Sequence, residues 1–213
     1  MTMASRLILI TIFISISYVD CVQTVNGRVK IFIGLTSGCP NARNFITSQL
    51  VPAYAQYGKF LDLEFVPWGK TERHENGTVT CQFGDNDCWA NRLQRCVLNH
   101  LRGNTDAQLQ YIACEYRQPY PAYQLGSFQC AREAGMGIAA ADFCVNNPQI
   151  DTLDEEAEAK STDPIEIIGV VSSIVFNDNI DVSTHWQAFR RLASVVCFAL
   201  ADDSSTGVLG CQI

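Results

Sequence analysis

Ten cysteines in a chain of 213 residues constrain this protein more than any other feature. Thiols at that density belong to an oxidising compartment, where they close as disulfides and fix the fold covalently. The N-terminus agrees with that setting. Arg6 precedes an apolar run from Leu7 to Val19, interrupted only by Thr, Ser and Tyr, and Val19-Asp20-Cys21 follows. One basic residue, a short apolar stretch and small residues, in that order, read as a secretory leader over residues 1–21. A retained signal anchor is the alternative. No other stretch is long and apolar enough to span a bilayer, so the mature chain, residues 22–213, is expected to be a soluble, lumenal or extracellular domain with no membrane partner.

If Cys21 leaves with the leader, nine cysteines remain, and an odd count requires one that is free or paired between molecules. Cys39 is the candidate, for reasons of position given below. The other eight, Cys81, Cys88, Cys96, Cys114, Cys130, Cys144, Cys197 and Cys211, suffice for four bridges, and spacing alone leaves most of their pairing open. Cys197 and Cys211 are expected to pair, because the polar return Asp202-Asp203-Ser204-Ser205-Thr206-Gly207 lets the tail fold back. Zinc is the rival use of clustered cysteines. It is disfavoured because there is no Cys-x-x-Cys and His74, His100 and His185 are scattered, so no metal or other cofactor is called for. A formal charge of -7 and a pI near 4.9 provide no field for phosphate, which argues against nucleic acid and anionic membranes as partners.

Hydrophobic patterning gives a coarse chain map. Val29 to Leu35 is β-branched and apolar apart from Lys30, as a central strand buried on both faces would be. Cys39-Pro40 then opens a helix, with Ala42, Phe45, Ile46 and Leu50 at helical spacing and Pro52 as a kink or restart. Leu61 to Val66 alternates apolar and polar and reads as a second strand. Strand, helix and strand in succession make a βαβ unit with Cys39 at the carboxyl end of its first strand, where open α/β sheets place their sites.

His74 to Thr80 reads as a tight hairpin on Asn76-Gly77, and Asn76-Gly77-Thr78 is also an acceptor for N-glycosylation. From Cys88 to about Asp151 the periodicity is helical and dense in cysteine, which suggests an insertion, over about 88–160, stapled because its own core is thin. The acidic run Asp154 to Glu158 reads as a solvated helix face. Past Pro164 the sheet is expected to resume as strands Ile165 to Val171 and Ile174 to Phe176, followed by a turn at Asn177-Asp178-Asn179. A helix from about Ser183 to Leu200 closes the chain, with Trp186, Phe189 and Phe198 expected in the core.

Two features bear on chemistry. A thiolate rather than a thiol attacks disulfides, and a helix N-terminus stabilises the anion, an arrangement that Cys39-Pro40 supplies. Arg43, one turn on, adds a positive charge nearby. A buried, inert cysteine is the bland alternative. The second feature is the segment Cys81-Gln82-Phe83-Gly84-Asp85-Asn86-Asp87-Cys88-Trp89-Ala90-Asn91-Arg92-Leu93-Gln94-Arg95-Cys96. It resembles the signature of the gamma-interferon-inducible lysosomal thiol reductase family, Cys-Gln-His-Gly-x-x-Glu-Cys-x-x-Asn-x-x-x-x-Cys, with Phe83 for the His and Asp87 for the Glu.

That resemblance implies an α/β fold, a thioredoxin-like sheet carrying a disulfide-rich helical insertion, in a secreted or lysosomal glycoprotein that reduces disulfide-containing proteins. It also marks two departures. The family's active pair is Cys-x-x-Cys after the first strand, and here Ala42 holds the second position. The family also places a cis-proline before its penultimate strand, where this chain has Ser172. Three functions follow. Cys39 acts alone as a thiol oxidoreductase with small thiols as co-reductant, or the fold persists as a secreted binding protein without catalysis, or Cys39 links a covalent homodimer.

Overall fold

A computed structural model describes residues 21–117, 125–147 and 150–211; the expected leader, apart from Cys21, lies outside the described residues. Strand β1 (Val29–Leu35) occupies the middle of a three-stranded sheet. Strand β2 (Leu61–Pro67) runs parallel to it, with Val29 opposite Leu61 and Leu35 opposite Pro67. Strand β5 (Ser173–Phe176) runs antiparallel, with Gly34 opposite Ser173 and Ile31 opposite Phe176. Every residue of β1 except Lys30 is buried, as its unbroken apolar run requires. Lys30 reaches the rim of the sheet and pairs with Asp178 at 2.7 Å and Glu64 at 3.2 Å.

Helix α1 (Pro40–Phe45) follows the strand and passes through a wide turn, Ile46–Leu50, into α2 (Val51–Tyr57). Pro52 explains the wide turn. Its nitrogen has no proton and its ring crowds the carbonyl four residues back, so the helix adds a residue to the turn rather than breaking. A short hairpin, β3 (Glu72–Arg73) and β4 (Val79–Thr80), comes after β2. At its tip Gly77 has φ +82°, and the Asn76 Oδ1 accepts from the Thr78 amide at 3.0 Å and hydroxyl at 2.7 Å.

The helical region comprises α3 (Asp85–His100), α4 (Thr105–Glu115), α5 (Leu125–Glu133), α6 (Ile138–Asn146) and α7 (Asp151–Ile168). Bridges join α3 to α6 through Cys96–Cys144 and α4 to α5 through Cys114–Cys130. The expected thin core is absent. Leu93, Val97, Tyr111, Ile112 and Val145 pack in one cluster with Ile31, Ile33, Phe45 and Leu50, so the helices share the core of the sheet. The last helix, α8 (Val182–Ala201), is capped by Asp181, which accepts from the Thr184 amide at 2.6 Å. Cys197 near its end is bonded to Cys211, with Cα atoms 5.8 Å apart.

Three expectations need correction. Residues Ile165 to Ile168 are the end of α7 and not a strand: Ser161, Pro164, Ile165 and Ile168 face inward at helical spacing while Ile167 is exposed. Gly169, at φ +79°, ends that helix, and its amide donates to the Ile165 carbonyl at 2.9 Å. The acidic run is not wholly solvated, since Asp154 is buried against Arg95 at 2.7 Å and Glu158 meets Arg73 at 2.6 Å. Trp186 and Phe198 are 37% and 43% exposed; only Phe189 of the three aromatics turns inward, stacking on Phe45 at 5.9 Å.

Because Ile165 to Val171 supplies no strand, β5 has one partner strand. Its Ile174 amide, which points away from β1, donates to the His185 Nδ1 at 3.2 Å. The imidazole thus takes the place of a neighbouring carbonyl.

Glu115 is buried between α4 and α5, where its Oε2 accepts from the Ser127 hydroxyl at 2.6 Å. Burial pushes its carboxyl up to about 7 from 4.5, against the opposing pull of the Ser127 hydrogen bond. A raised acid stabilises the fold fully below its unfolded value and loses that contribution as pH rises through the folded value. Urea unfolding of wild type and Glu115→Gln from pH 4 to 8 is therefore expected to show wild type losing roughly 3 kcal/mol relative to the variant as pH rises. A gap that stays constant across that range would refute the assignment.

Candidate active site

The site forms where β1 ends. Thr36, Ser37 and Gly38 carry the chain from the strand to Cys39, which sits at the N-cap of α1 with extended backbone, φ -85° and ψ 117°. Its amide donates to the Thr36 carbonyl at 3.2 Å, and the Arg43 amide donates back to the Cys39 carbonyl at 3.1 Å. Pro40 takes the first helical position, where no amide proton is needed. Arg43 is half-buried one turn on, and Ala42 between them is wholly buried.

Cys39 is free, and the eight cysteines from Cys81 to Cys211 form four bridges. The thiol is only 5% exposed, and its Sγ donates to the Val171 carbonyl at 3.6 Å. The segment Val171-Ser172 therefore lies against Cys39. Its peptide bond is cis, and the Ser172 hydroxyl is buried without a hydrogen-bond partner. The structure thus brings Cys39, Pro40, Ala42 and Arg43 together on one turn, with Val171 against the sulfur and Ser172 beside it. Asn76 belongs to the exposed hairpin instead.

Sequence reasoning passed over the residues that hold this loop. Asp87, in the first turn of α3, is fully buried and makes four contacts with three donors: Thr36 Oγ1 at 2.9 and 2.7 Å on its two oxygens, the Gly38 amide at 2.8 Å and the Phe83 amide at 3.3 Å on separate oxygens. Counted by hydrogens these are three groups, the Thr36 proton being shared between the oxygens. Asn91, one turn later, accepts from the Ser37 amide at 2.8 Å and hydroxyl at 2.9 Å, and donates to Thr36 Oγ1 at 2.9 Å. At the C-cap of α4, the Tyr116 hydroxyl donates to the Thr36 carbonyl at 2.9 Å.

The segment Cys81 to Cys96 now has a physical reading. Cys81–Cys88 closes the approach to α3, and Cys96 anchors that helix to α6. Gly84 is the N-cap at φ 84° and ψ -169°, a conformation that essentially only glycine adopts. Position 83 contributes its backbone amide, while the Phe83 side chain is 42% exposed, so that role does not depend on the side chain. The signal available in the sequence was a pair of polar residues, Asp87 and Asn91, spaced to share one helix face with nothing apolar to explain them.

Comparison with known proteins places this geometry among relatives. The family model described as gamma interferon inducible lysosomal thiol reductase matches residues 28–134, half of the chain. GILT-like protein 2 of Drosophila melanogaster is 33% identical over 161 residues, 74% of either chain, and GILT-like protein 1 of the same organism is 26% identical over 185 residues. The match to the gamma-interferon-inducible lysosomal thiol reductase-like protein of Anopheles gambiae, at 32% identity, spans 41% of that relative. Among solved structures, a thioredoxin-like oxidoreductase from Silicibacter pomeroyi DSS-3 superposes with a TM-score of 0.51 at 13% identity, over 77% of this chain and 86% of that one. The fold is accordingly thioredoxin-like, an α/β sheet with a bridged helical insertion.

The burial of Sγ makes a simple measurement informative. Alkylation of unreduced protein with iodoacetamide is expected to label Cys39, leave the eight bridged cysteines unmodified, and proceed at least tenfold faster in urea than under native conditions. Peptide mapping that finds Cys39 bridged, or labelled equally fast in both states, would contradict the site as described.

Proposed function

The chain belongs to the gamma interferon inducible lysosomal thiol reductase family, and from that premise we propose that it acts on protein disulfides through the single thiol of Cys39. One observation carries the reading: Cys39 is left unpaired, at the end of the central strand and the start of a helix, while the eight cysteines beyond it are bridged. The Cys39 thiolate attacks one sulfur of a substrate disulfide, forming a mixed disulfide and releasing one substrate thiolate. Ala42 offers no second sulfur. A small thiol must then attack the Cys39 sulfur and release the other substrate thiolate, and a second small thiol restores Cys39 while the two small thiols end as their disulfide. Two electrons pass from the small thiols to the substrate, and no cofactor or metal enters.

A second reading rests on the same geometry. With the thiol 5% exposed and no resolving sulfur, the fold also suits a secreted binding protein without turnover. The burial weighs against a homodimer linked through Cys39. The expected leader and the bridges support a secreted or lysosomal location, and among the described residues no helix is long and apolar enough to cross a membrane. The exposed Asn76, on its hairpin tip, is the proposed glycan acceptor.

Wild-type protein is expected to reduce a disulfide-bonded protein substrate slowly, at a rate that rises with added small thiol, and to accumulate a mixed disulfide at Cys39 when the thiol is withheld. Cys39→Ser should abolish both. Ala42→Cys should release the adduct intramolecularly and remove the accumulation. If wild type and Cys39→Ser reduce substrate at the same rate across pH and thiol concentration, the catalytic reading gives way to the binding protein.

A further inference from the structure

We propose that Asp87 and Asn91 are positioning residues for Cys39, a clamp from the first turns of α3 that keeps the loop Thr36 to Gly38 in one conformation and the thiol closed against Val171. This deepens the single-thiol reading and rests on it for its meaning, although the clamp is measured without turnover.

The hydrogen bonds dictate the residue types. Thr36 has one hydroxyl proton and gives it to the Asp87 carboxylate, so its oxygen accepts from the next partner. That partner must donate to Thr36 while accepting from Ser37, and the side-chain amide of Asn91 does both. An aspartate at 91 would turn an acceptor toward an acceptor. An asparagine at 87 would turn its amide protons toward the donors Thr36, Gly38 or Phe83, losing at least one of those bonds. The carboxylate is fully buried, and what offsets its burial is this set of donors together with the positive end of α3.

The clamp grips the two residues that fix the backbone leading into the reactive position. Gly38, the residue before Cys39, is held through its amide by Asp87, and Thr36, whose carbonyl receives the Cys39 amide, is held by Asp87, Asn91 and Tyr116. Cys81–Cys88 in turn holds the Phe83 amide against Asp87. Opening of this loop is the local event that exposes Sγ, and its equilibrium is set by Asp87 and Asn91 rather than by the stability of the sheet.

The test compares wild type with Asp87→Asn, Asn91→Ala, the hydroxyl-removing Thr36→Val, and Asp87→Glu, which keeps the carboxylate. Two quantities are read well below the unfolding transition: the rate of Cys39 alkylation by iodoacetamide, and hydrogen exchange of the peptides covering residues 36–39 and β1. The clamp predicts at least a tenfold rise in both alkylation and loop exchange for Asp87→Asn and Thr36→Val, with exchange in β1 unchanged, and recovery to within about threefold of wild type for Asp87→Glu. Thr36→Val replaces a side chain without changing its shape, so it reports even if an Asp87 variant fails to fold. Folded variants that alkylate and exchange as wild type does would overturn the clamp, as would a rise in loop and β1 exchange together, the mark of global destabilisation. Loss of the catalytic reading is scored separately, by equal substrate reduction in wild type and Cys39→Ser.

Discussion

The buried carboxylate of Asp87 joins two parts of this fold that the chain builds separately. The two parallel strands and the helical crossover between them come from the first seventy or so residues, and the helical region comes after, with β5 and α8 closing the chain. Their junction is one face of α3, where Asp87, Asn91 and Arg95 stand four residues apart. Asp87 and Asn91 take the loop after β1; Arg95 takes the Pro67 carbonyl at the end of β2 and the carboxylate of Asp154 on α7. The ends of both parallel strands are thus fastened to one helix through polar groups. Such a stripe is intolerant of single changes, because removing one member leaves its buried partners unsatisfied, at roughly 1–3 kcal/mol for each neutral group.

What the sequence made legible is what apolar periodicity and turn chemistry govern. Val29 to Leu35 could only be a doubly buried strand, Asn76-Gly77 could only be a tight turn, and the polar return before Cys211 announced its bridge to Cys197. The errors have equally definite causes. Ile165 to Ile168 is β-branched and follows a proline, so it imitates a strand; the true signal is the inward set Ala157, Ser161, Pro164, Ile165 and Ile168, which becomes visible once Pro164 is allowed inside a helix. Asp87 and Asn91 were hidden by the convention that polar residues on an amphipathic helix face water. Their burial depends on donors supplied by Thr36, Ser37 and Gly38, some fifty residues earlier in sequence, and local patterning places the two on one helix face without indicating those donors.

Replacing a strand by a side chain alters how the fold responds to acid. His185 accepts from the Ile174 amide and must be neutral to do so, and burial lowers its imidazole to about 4 from 6.5. The stability it contributes is complete above its unfolded value and fades as pH falls from 6.5 toward 4. Glu115 responds in the opposite sense over an overlapping window, since its carboxyl is easiest to bury when protonated. The two groups therefore pull in opposite directions, His185 favouring the folded state as pH rises and Glu115 as it falls.

A lone thiol that is buried cannot be read as a redox pair with one member deleted. In a pair, the second sulfur determines how long the first remains bound to substrate; with Ala42 in its place, a substrate adduct at Cys39 would depend on an external thiol that can reach it. Reach is itself governed by the loop. On the proposed mechanism the substrate gains the sulfur when Thr36 to Gly38 open, and the resolving thiol gains it again while substrate is still attached. Both steps depend on the same local equilibrium, so tightening the clamp slows capture and release together, whereas loosening it speeds access while blurring the direction in which Sγ is presented. The hydrogen bonds of Asp87 and Asn91 therefore set a compromise between exposure and aim, and in this chain, with Sγ closed against the Val171 carbonyl, the compromise lies on the side of aim.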